Sequence, residues 1–435
     1  MKTIIPSPST PGLCPRAPSG LTLLLLALLL TPGTVHAQGG TLLTTFATPD
    51  SGNFGGAVAA LGSDQVLIGA TGFVYLFSAS GTLLRTFIPP EPPQENSALF
   101  GRAVAAVGSD RVLIGAPWDN TGQFHAGSAY LFNAGGTLLT TIHNPAPAAS
   151  AGEDSFGGAV AALGSDLLVI GAPEDDTGAQ DAGKAYLFSS SGTLLRTFSN
   201  PSPQPGENFG GSVAALGSDR VLIGARFEST GFSLSGAVYL FGTGGALFFT
   251  FNSPTPHAED NFGTSVAAVG SDRVLIGAPG TTAGALHSGT AYLFSADGTL
   301  LTTFTNPAPG ANDQFGFSVA AVGTDKVLIG AISDSTGAAQ AGSAYLFSTG
   351  GTLLATSQLG HARSRVDPAA KRRSEPVDRM EHHTGASHQQ RPEPDCGTSA
   401  NHRKLQPFLP PPPTVSTGGP SHHQQKPNQQ RREPA

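Results

Sequence analysis

Short apolar runs of five or six residues, each closed off by Gly, Ser, Asp or Pro, follow one another along this chain in a fixed order. In the stretch Phe156–Phe198 they read AVAALG (Ala159–Gly164), LLVIGA (Leu167–Ala172), KAYLF (Lys184–Phe188) and TLLRTF (Thr193–Phe198). Each run is rich in apolar or β-branched residues and bounded by turn formers, and none reaches helix length with a period of 3.6, so all four are predicted strands, here a, b, c and d. The same order, opened by Phe-Gly, returns at Phe54, Phe100, Phe156, Phe209, Phe262 and Phe315, with spacings of 46, 56, 53, 53 and 53 residues. Four antiparallel strands repeated at that period predict an all-β fold, a β-propeller in which each repeat is one blade.

The links between strands divide into two kinds. Strands a and b are joined by a tight Gly-Ser-Asp turn (Gly108-Ser109-Asp110) and c and d by turns such as Ser295–Gly298, whereas b to c (Pro173–Gly183) and d to the next a (Asn200–Asn208) are long. Because antiparallel strands alternate direction, the short turns share one rim and the long loops the other. Loops carry function more often than the strands that hold them, so the long-loop rim is the expected binding face. Strand a, built of Gly, Ala and Val, suits the crowded axis, and the Phe of Phe-Gly with the Tyr-Leu-Phe of strand c is expected to pack blade on blade.

A lone copy of strand d, Gly40–Phe46 (GTLLTTF), precedes the first Phe-Gly, and a last one, Gly351–Ser357 (GTLLATS), has Ser where the others end in Phe or Ile. This offset leads us to expect six blades, the ring being closed by Thr41–Phe46 as the outer strand beside Ala344–Phe347. The alternative is a seven-bladed ring with an incomplete seventh blade.

Composition supports this picture and adds two flanking regions. Of 435 residues, 12% are charged and 57 are Gly, which fits an all-β repeat protein with tight turns rather than a coiled coil or a helical enzyme. The apolar run Leu21–Leu30 after Lys2 and Arg16, with Val35-His36-Ala37 as a cleavage site, reads as a secretory signal over residues 1–37. The run is too short to span a bilayer comfortably, so no membrane span is expected in the mature chain, and the protein is expected to be secreted or at the cell surface. Residues 38–360 form the repeat domain, and residues 361–435, rich in Arg, His, Gln and Pro, have the composition of a disordered tail. The repeat domain holds nine basic and 23 acidic side chains, a balance that disfavours nucleic acid and anionic membrane as partners. Both cysteines, Cys14 and Cys396, fall outside it, so it has neither a disulfide framework nor a Cys-based metal site. A monomer is expected.

Phe-Gly opening strand a, Gly-Ala-Pro closing strand b (Gly115-Ala116-Pro117, Gly171-Ala172-Pro173, Gly277-Ala278-Pro279) and Gly-x-Ala-Tyr-Leu-Phe beyond it resemble the FG-GAP repeat of integrin α-chain propellers, and more closely the bacterial extracellular FG-GAP repeat proteins. The Pro is replaced at Thr71, Arg226 and Ile332. The resemblance covers about Thr41 to Thr356 and implies a propeller that works by binding or adhesion outside the cell. Several integrin blades carry an Asp-rich calcium loop between strands a and b; here only Gly-Ser-Asp-Arg or a near variant stands there, too few oxygens for Ca²⁺. No cofactor is therefore expected to be required. The b–c loop with Glu174, Asp175, Asp176 and Asp181 is the one candidate Ca²⁺ site, against the simpler reading of a solvated acidic loop.

The leading functional expectation is a non-catalytic module that presents the long-loop face to an extracellular protein or glycan. The alternatives are a secreted propeller enzyme acting on polysaccharide and a structural repeat protein without a specific ligand. An enzyme would need a non-repeated carboxylate pair or a His-based acid/base near the axis. The acids at Asp64, Asp110, Asp166, Asp219, Asp272 and Asp325 instead recur with the turn, as structural turn residues do. Bulky residues that break the repeat on the long-loop face are the candidate ligand contacts: Trp118 and Phe124 in the second repeat, Arg226, Phe227 and Phe232 in the fourth.

Overall fold

The computed structural model describes residues 43–47, 53–90, 97–147 and 153–358. The expected signal sequence and tail lie outside the described residues, as do Thr41 and Leu42. Six four-stranded antiparallel sheets follow one another around a propeller ring. The first blade is β1 to β4 (Ala57–Leu61, Gln65–Ala70, Phe73–Ser78, Leu83–Phe87) and the second β5 to β8 (Ala103–Val107, Arg111–Ala116, Ser128–Asn133, Leu138–His143). The third is β9 to β12 (Ala159–Leu163, Leu167–Ala172, Lys184–Ser189, Leu194–Ser199) and the fourth β13 to β16 (Phe209–Leu216, Arg220–Ala225, Ala237–Gly242, Leu247–Asn252). The fifth is β17 to β20 (Ser265–Val269, Arg273–Ala278, Thr290–Ser295, Leu300–Thr305) and the sixth β21 to β24 (Phe315–Val322, Lys326–Ala331, Ser343–Ser348, Leu353–Gln358). Among the described residues the helical content is one 3-10 turn, Ser97–Leu99.

Within a blade the register is uniform. In the third, Val160 faces Ile170, Ile170 faces Tyr186 and Tyr186 faces Thr197, with a bulge at Leu187/Phe188 before the outer strand. The innermost strands β1, β5, β9, β13, β17 and β21 pack on one another in that order, where Ala and Val keep the axis narrow. The recurring turn Asp acts through its backbone: the carbonyl of Asp110 accepts the amide of Ala134 at 2.7 Å, and Asp64, Asp166, Asp219, Asp272 and Asp325 do the same in their blades.

Sheet faces stack through five apolar clusters, one at each seam from blade one to blade six. Leu61, Leu67, Leu76 and Phe87 of the first blade, for example, meet Val112, Ile114, Tyr130 and Phe132 of the second. The Phe of Phe-Gly is fully buried at Phe100, Phe156, Phe209, Phe262 and Phe315, as the sequence pattern implies. Among the described residues no such cluster joins the sixth blade to the first.

The expected closure is corrected here. The partner of Ala344 is Ser357, so β24 takes the outer place in the sixth blade that was expected for Thr41–Phe46, and the described part of that stretch, Leu43–Phe46, does not pair with Ala344–Phe347. Losing the terminal Phe at Ser357 does not weaken the strand's claim, because strand pairing is made by backbone groups. Leu43–Ala47 lies instead against the first blade, with Phe46 edge-on to Phe77 at 5.3 Å.

Equivalent residues thus sit in unequal environments. Leu275 on β18 is 0% exposed, whereas Leu328, its counterpart on β22, is 38% exposed. Leu275→Ala should cost about 2–5 kcal/mol, the usual range for a buried leucine, and Leu328→Ala under about half as much. Urea unfolding of the two variants reads the difference, and equal losses would contradict the seam assignment.

Candidate functional site

The long-loop rim is built by the b–c and d–a loops, and most of its acids point inward. In the third blade Asp175 is fully buried: Tyr186 donates its hydroxyl at 2.7 Å, Thr177 its amide at 2.8 Å, and Lys184 lies 3.7 Å away. The same tyrosine-to-carboxylate bond links Tyr130 to Asp119, Tyr239 to Glu228 at 2.6 Å and Tyr345 to Asp334. Burial and the adjacent carboxylate push the Tyr186 and Tyr345 hydroxyls well above the ordinary phenol range. In the fifth blade Thr281 stands in the acid's place and bonds Thr290 at 2.7 Å.

A second buried acid comes from each of four d–a loops. Asn144 holds Asp154 at 2.7 Å, Asn200 holds Glu207 at 2.7 Å, Ser253 holds Asp260 at 3.3 Å and Asn306 holds Asp313 at 2.8 Å. Between blades three and four Asn200 also reaches Glu228 at 3.3 Å, so two carboxyls share one amide donor. Burial raises both, and the charge of Glu207 raises Glu228 further, although their hydrogen bonds work the other way. Asp119 behaves oppositely: burial pushes it up, but bonds from Thr121, Tyr130 and the Thr121 amide leave it below the usual value.

These placements test the acidic loop. Glu174 accepts from Ser155, Asp175 is committed to Tyr186 and Lys184, and Asp176 accepts the Asp181 amide at 3.0 Å. Burial, then Asp176 and Glu153, raise the Asp181 carboxyl. The four acids do not converge, and among the described residues no group of three or more His, Cys, Asp or Glu could hold a metal ion.

The repeat-breaking residues form two assemblies on this rim. In the second blade the His125 ring is stacked by Trp118 at 5.1 Å and Phe124 at 3.8 Å, while its Nδ1 lies 3.0 Å from Glu153. The result is an exposed aromatic shelf with a carboxylate at its back. In the fourth blade the Arg226 guanidinium lies 4.4 Å over the Phe227 ring and donates to Asn208 from Nε at 3.3 Å and Nη2 at 3.2 Å. Burial, then the charge of Arg102, lower the Arg226 pKa, and Glu174 opposes them. The charge of exposed Arg102, on the residue after the second Phe-Gly, is thus felt at Arg226, a proximity that sequence reasoning missed. Phe232 stands apart, 6.5 Å from the His257 ring.

An open hollow of about 620 Å³ on the opposite rim is lined by Asp219, Arg220, Asp272, Ser295 and Asp297. Its arginine is already spent across a seam, where Arg220 Nη2 donates to the Ser271 carbonyl at 2.7 Å. No helix among the described residues is long and apolar enough to cross a membrane.

A family model described as the FG-GAP repeat matches residues 94–132, 147–188, 256–294 and 303–347, which are blades two, three, five and six. No curated protein matches the chain. Similar solved structures include the C-terminal WD40 domain of Sif2, at 14% identity and a TM-score of 0.42 over 70% of this chain and 72% of that one. BamB from Moraxella catarrhalis gives 13% and 0.39 over 71% and 77%, and a chain of the mitotic checkpoint complex 12% and 0.49 over 81% and 88%.

The shared-donor pair sets a pH dependence. A carboxyl whose folded pKa is raised binds its proton more tightly in the folded state. Its contribution to stability is therefore lost as pH rises from the ordinary value through the raised one. Removing that charge with Glu207→Gln should make the variant gain on the parent as pH goes from 4 to 7, since a glutamine oxygen still accepts from Asn200 and the Gln204 amide. Thermal melts across that range read the gap; a variant that falls further behind with rising pH would contradict the assignment.

Proposed function

We propose that this FG-GAP repeat β-propeller is an exported, non-catalytic binding module that presents its long-loop face to an extracellular protein or glycan. The observation that carries the reading is the pair of asymmetric assemblies on that face, the Trp118–His125–Phe124 stack and the Arg226–Phe227 pair. Symmetric positions are explained by the blade; these are not. Trp and Arg lead among residues that carry binding energy, because a flat aromatic or guanidinium surface covers a sugar ring or peptide side chain at low entropic cost. Export is supported by the charged, apolar and small-residue order of residues 1–37.

The buried acids support a binding role over a hydrolytic one. Asp119, Asp175, Glu228 and Asp334 are each bonded by a tyrosine in the same way, as a structural repeat requires, and so do not form a unique acid/base pair.

The test is capture of ligands from a glycan array and an extracellular protein panel by the purified chain. Trp118→Ala should weaken capture by about 30-fold, or ~2 kcal/mol, without lowering the melting temperature. Asp110→Ala on the short-turn rim should leave capture intact. Equal loss from both rims would overturn the reading.

A further inference from the structure

Where a b–c loop meets the d–a loop before it, acids are buried at the loop bases in pairs or singly. Backbone bonds stitch the two loops together: the amide of Glu174 donates to the Asp154 carbonyl, that of Phe227 to Glu207 and that of Ser333 to Asp313, each at 3.3 Å. Asp154 is thereby set beside Asp175, Glu207 beside Glu228 and Asp313 beside Asp334, and all six residues are buried. The second and fifth blades bury one acid each, Asp119 and Asp260, because Ala98 and Thr281 take the other places.

Two like charges in one buried site call for a compensating positive charge. The third blade supplies it with Lys184, whose ammonium lies 3.7 Å from Asp175 with 11% of its side chain exposed. The fourth has Ala237 at that position. There burial raises both glutamates, and the charge of Glu207 raises Glu228 further, so the pair holds a proton more tightly than free carboxyls do. Either way the loop base is brought towards the single negative charge of the second and fifth blades.

The sixth blade differs. Asn306 donates to Asp313 at 2.8 Å, and Asp334 accepts from Tyr345 and from the Thr336 amide at 2.7 Å, but among the described residues no Lys, Arg or His pairs with either acid. Ser343 stands where Lys184 does, each facing the last alanine of the second strand, Ala331 or Ala172. Its hydroxyl counterparts are engaged, Ser128 with His143 at 3.0 Å and Thr290 with Thr281 at 2.7 Å. Ser343 is 9% exposed, and its buried hydroxyl has no partner in hydrogen-bond geometry. Burial pushes the Tyr345 hydroxyl up and the nearby Ser343 hydroxyl opposes it, which sets Ser343 Oγ beside the Tyr345–Asp334 bond.

We propose that the seam between the fifth and sixth blades holds a monovalent cation, K⁺ or Na⁺, at the position that the Lys184 ammonium occupies in the third blade. Asp313, Asp334, Ser343 and Tyr345 offer it oxygen, the donor that hard cations take. One bound positive charge between two carboxylates leaves the single net charge found at the other loop bases, which a divalent ion would not.

Thermal melts of the full chain at neutral pH and fixed ionic strength test this, with KCl or NaCl against tetramethylammonium chloride, whose cation is too large for a buried site. The melting temperature should be several degrees higher in K⁺ or Na⁺ and saturate with concentration, as for a ligand of the native state. Ser343→Lys should supply the charge in place and melt alike in all these salts. Asp313→Asn leaves one acid, as in the second and fifth blades, while its amide oxygen can still accept from Asn306 and the Gly310 amide. It too should lose the dependence, and it decides the matter where Ser343→Lys does not fold. Asp110→Asn on the opposite rim should keep it. No difference between the salts in the parent, a dependence that survives Asp313→Asn, or stabilisation by Ca²⁺ alone would overturn the proposal, the last by assigning a divalent site.

Discussion

The propeller depends on backbone meeting backbone across each seam at two glycines. The glycine of Phe-Gly in one blade faces the glycine that precedes Ala-Pro in the blade before it. A Cβ on Gly115 would lie 2.0 Å from the Gly157 carbonyl oxygen, and one on Gly171 or Gly277 would lie as close to Gly210 or Gly316. Gly157 also holds φ at +92°, as its equivalents do, which a side chain would resist. Only glycine at both places lets the sheets close to the distance at which Phe, Leu and Val fill the seam. The signature that names the repeat is thus a record of inter-blade approach.

The same constraint shows where the ring differs from its own repeat. Gly55, the first Phe-Gly glycine, has open space where a Cβ would be, and Gly330 on the sixth blade meets the Ser318 hydroxyl of its own sheet rather than a neighbour's backbone. These two glycines, the half-exposed Leu328 and the exposed Val58 agree on one seam that is not made like the others. Repetition supplies the interior, and the two end faces inherit a chemistry meant for cover.

Much of this was legible in the residues. The Phe-Gly spacing and the four short runs specify blades, strand order and the division into a short-turn and a long-loop rim, because each rests on local pattern. The place of the lone N-terminal strand was not legible, since a strand d copy fits the end of one blade and the flank of the next equally well. Only the backbone pairing of Ala344 with Ser357 and the contact of Phe46 with Phe77 separate the two. Trp118 and Arg226 could be picked out because they break the repeat. Arg102 was missed because it follows an intact Phe-Gly and only the fold brings its charge toward Arg226. Glu174 to Asp181 suggested a ligand set because they are close in sequence. The recurring separation of 11 residues between a loop acid and the strand c tyrosine was the available sign that Asp175 turns inward.

The long-loop face then has a simple physical basis. Buried carboxylates, each tied to a tyrosine or to an Asn or Ser donor, anchor the loop bases and leave the loop tips to vary without loss of the blade. Aromatic and guanidinium groups stand on two of those loops. The measurement that bears most directly on the glycine seam is the unfolding free energy of Gly157→Ala against Gly55→Ala, two residues with nearly the same φ of +92° and +90°. A Cβ at Gly157 would meet the Ser128 carbonyl oxygen at 2.5 Å, and at Gly55 it would meet nothing within 4 Å. Gly55→Ala should cost the conformational penalty alone, about 1–2 kcal/mol, and Gly157→Ala at least about twice that. Equal costs would contradict the claim that backbone approach across the seams is what the glycines serve.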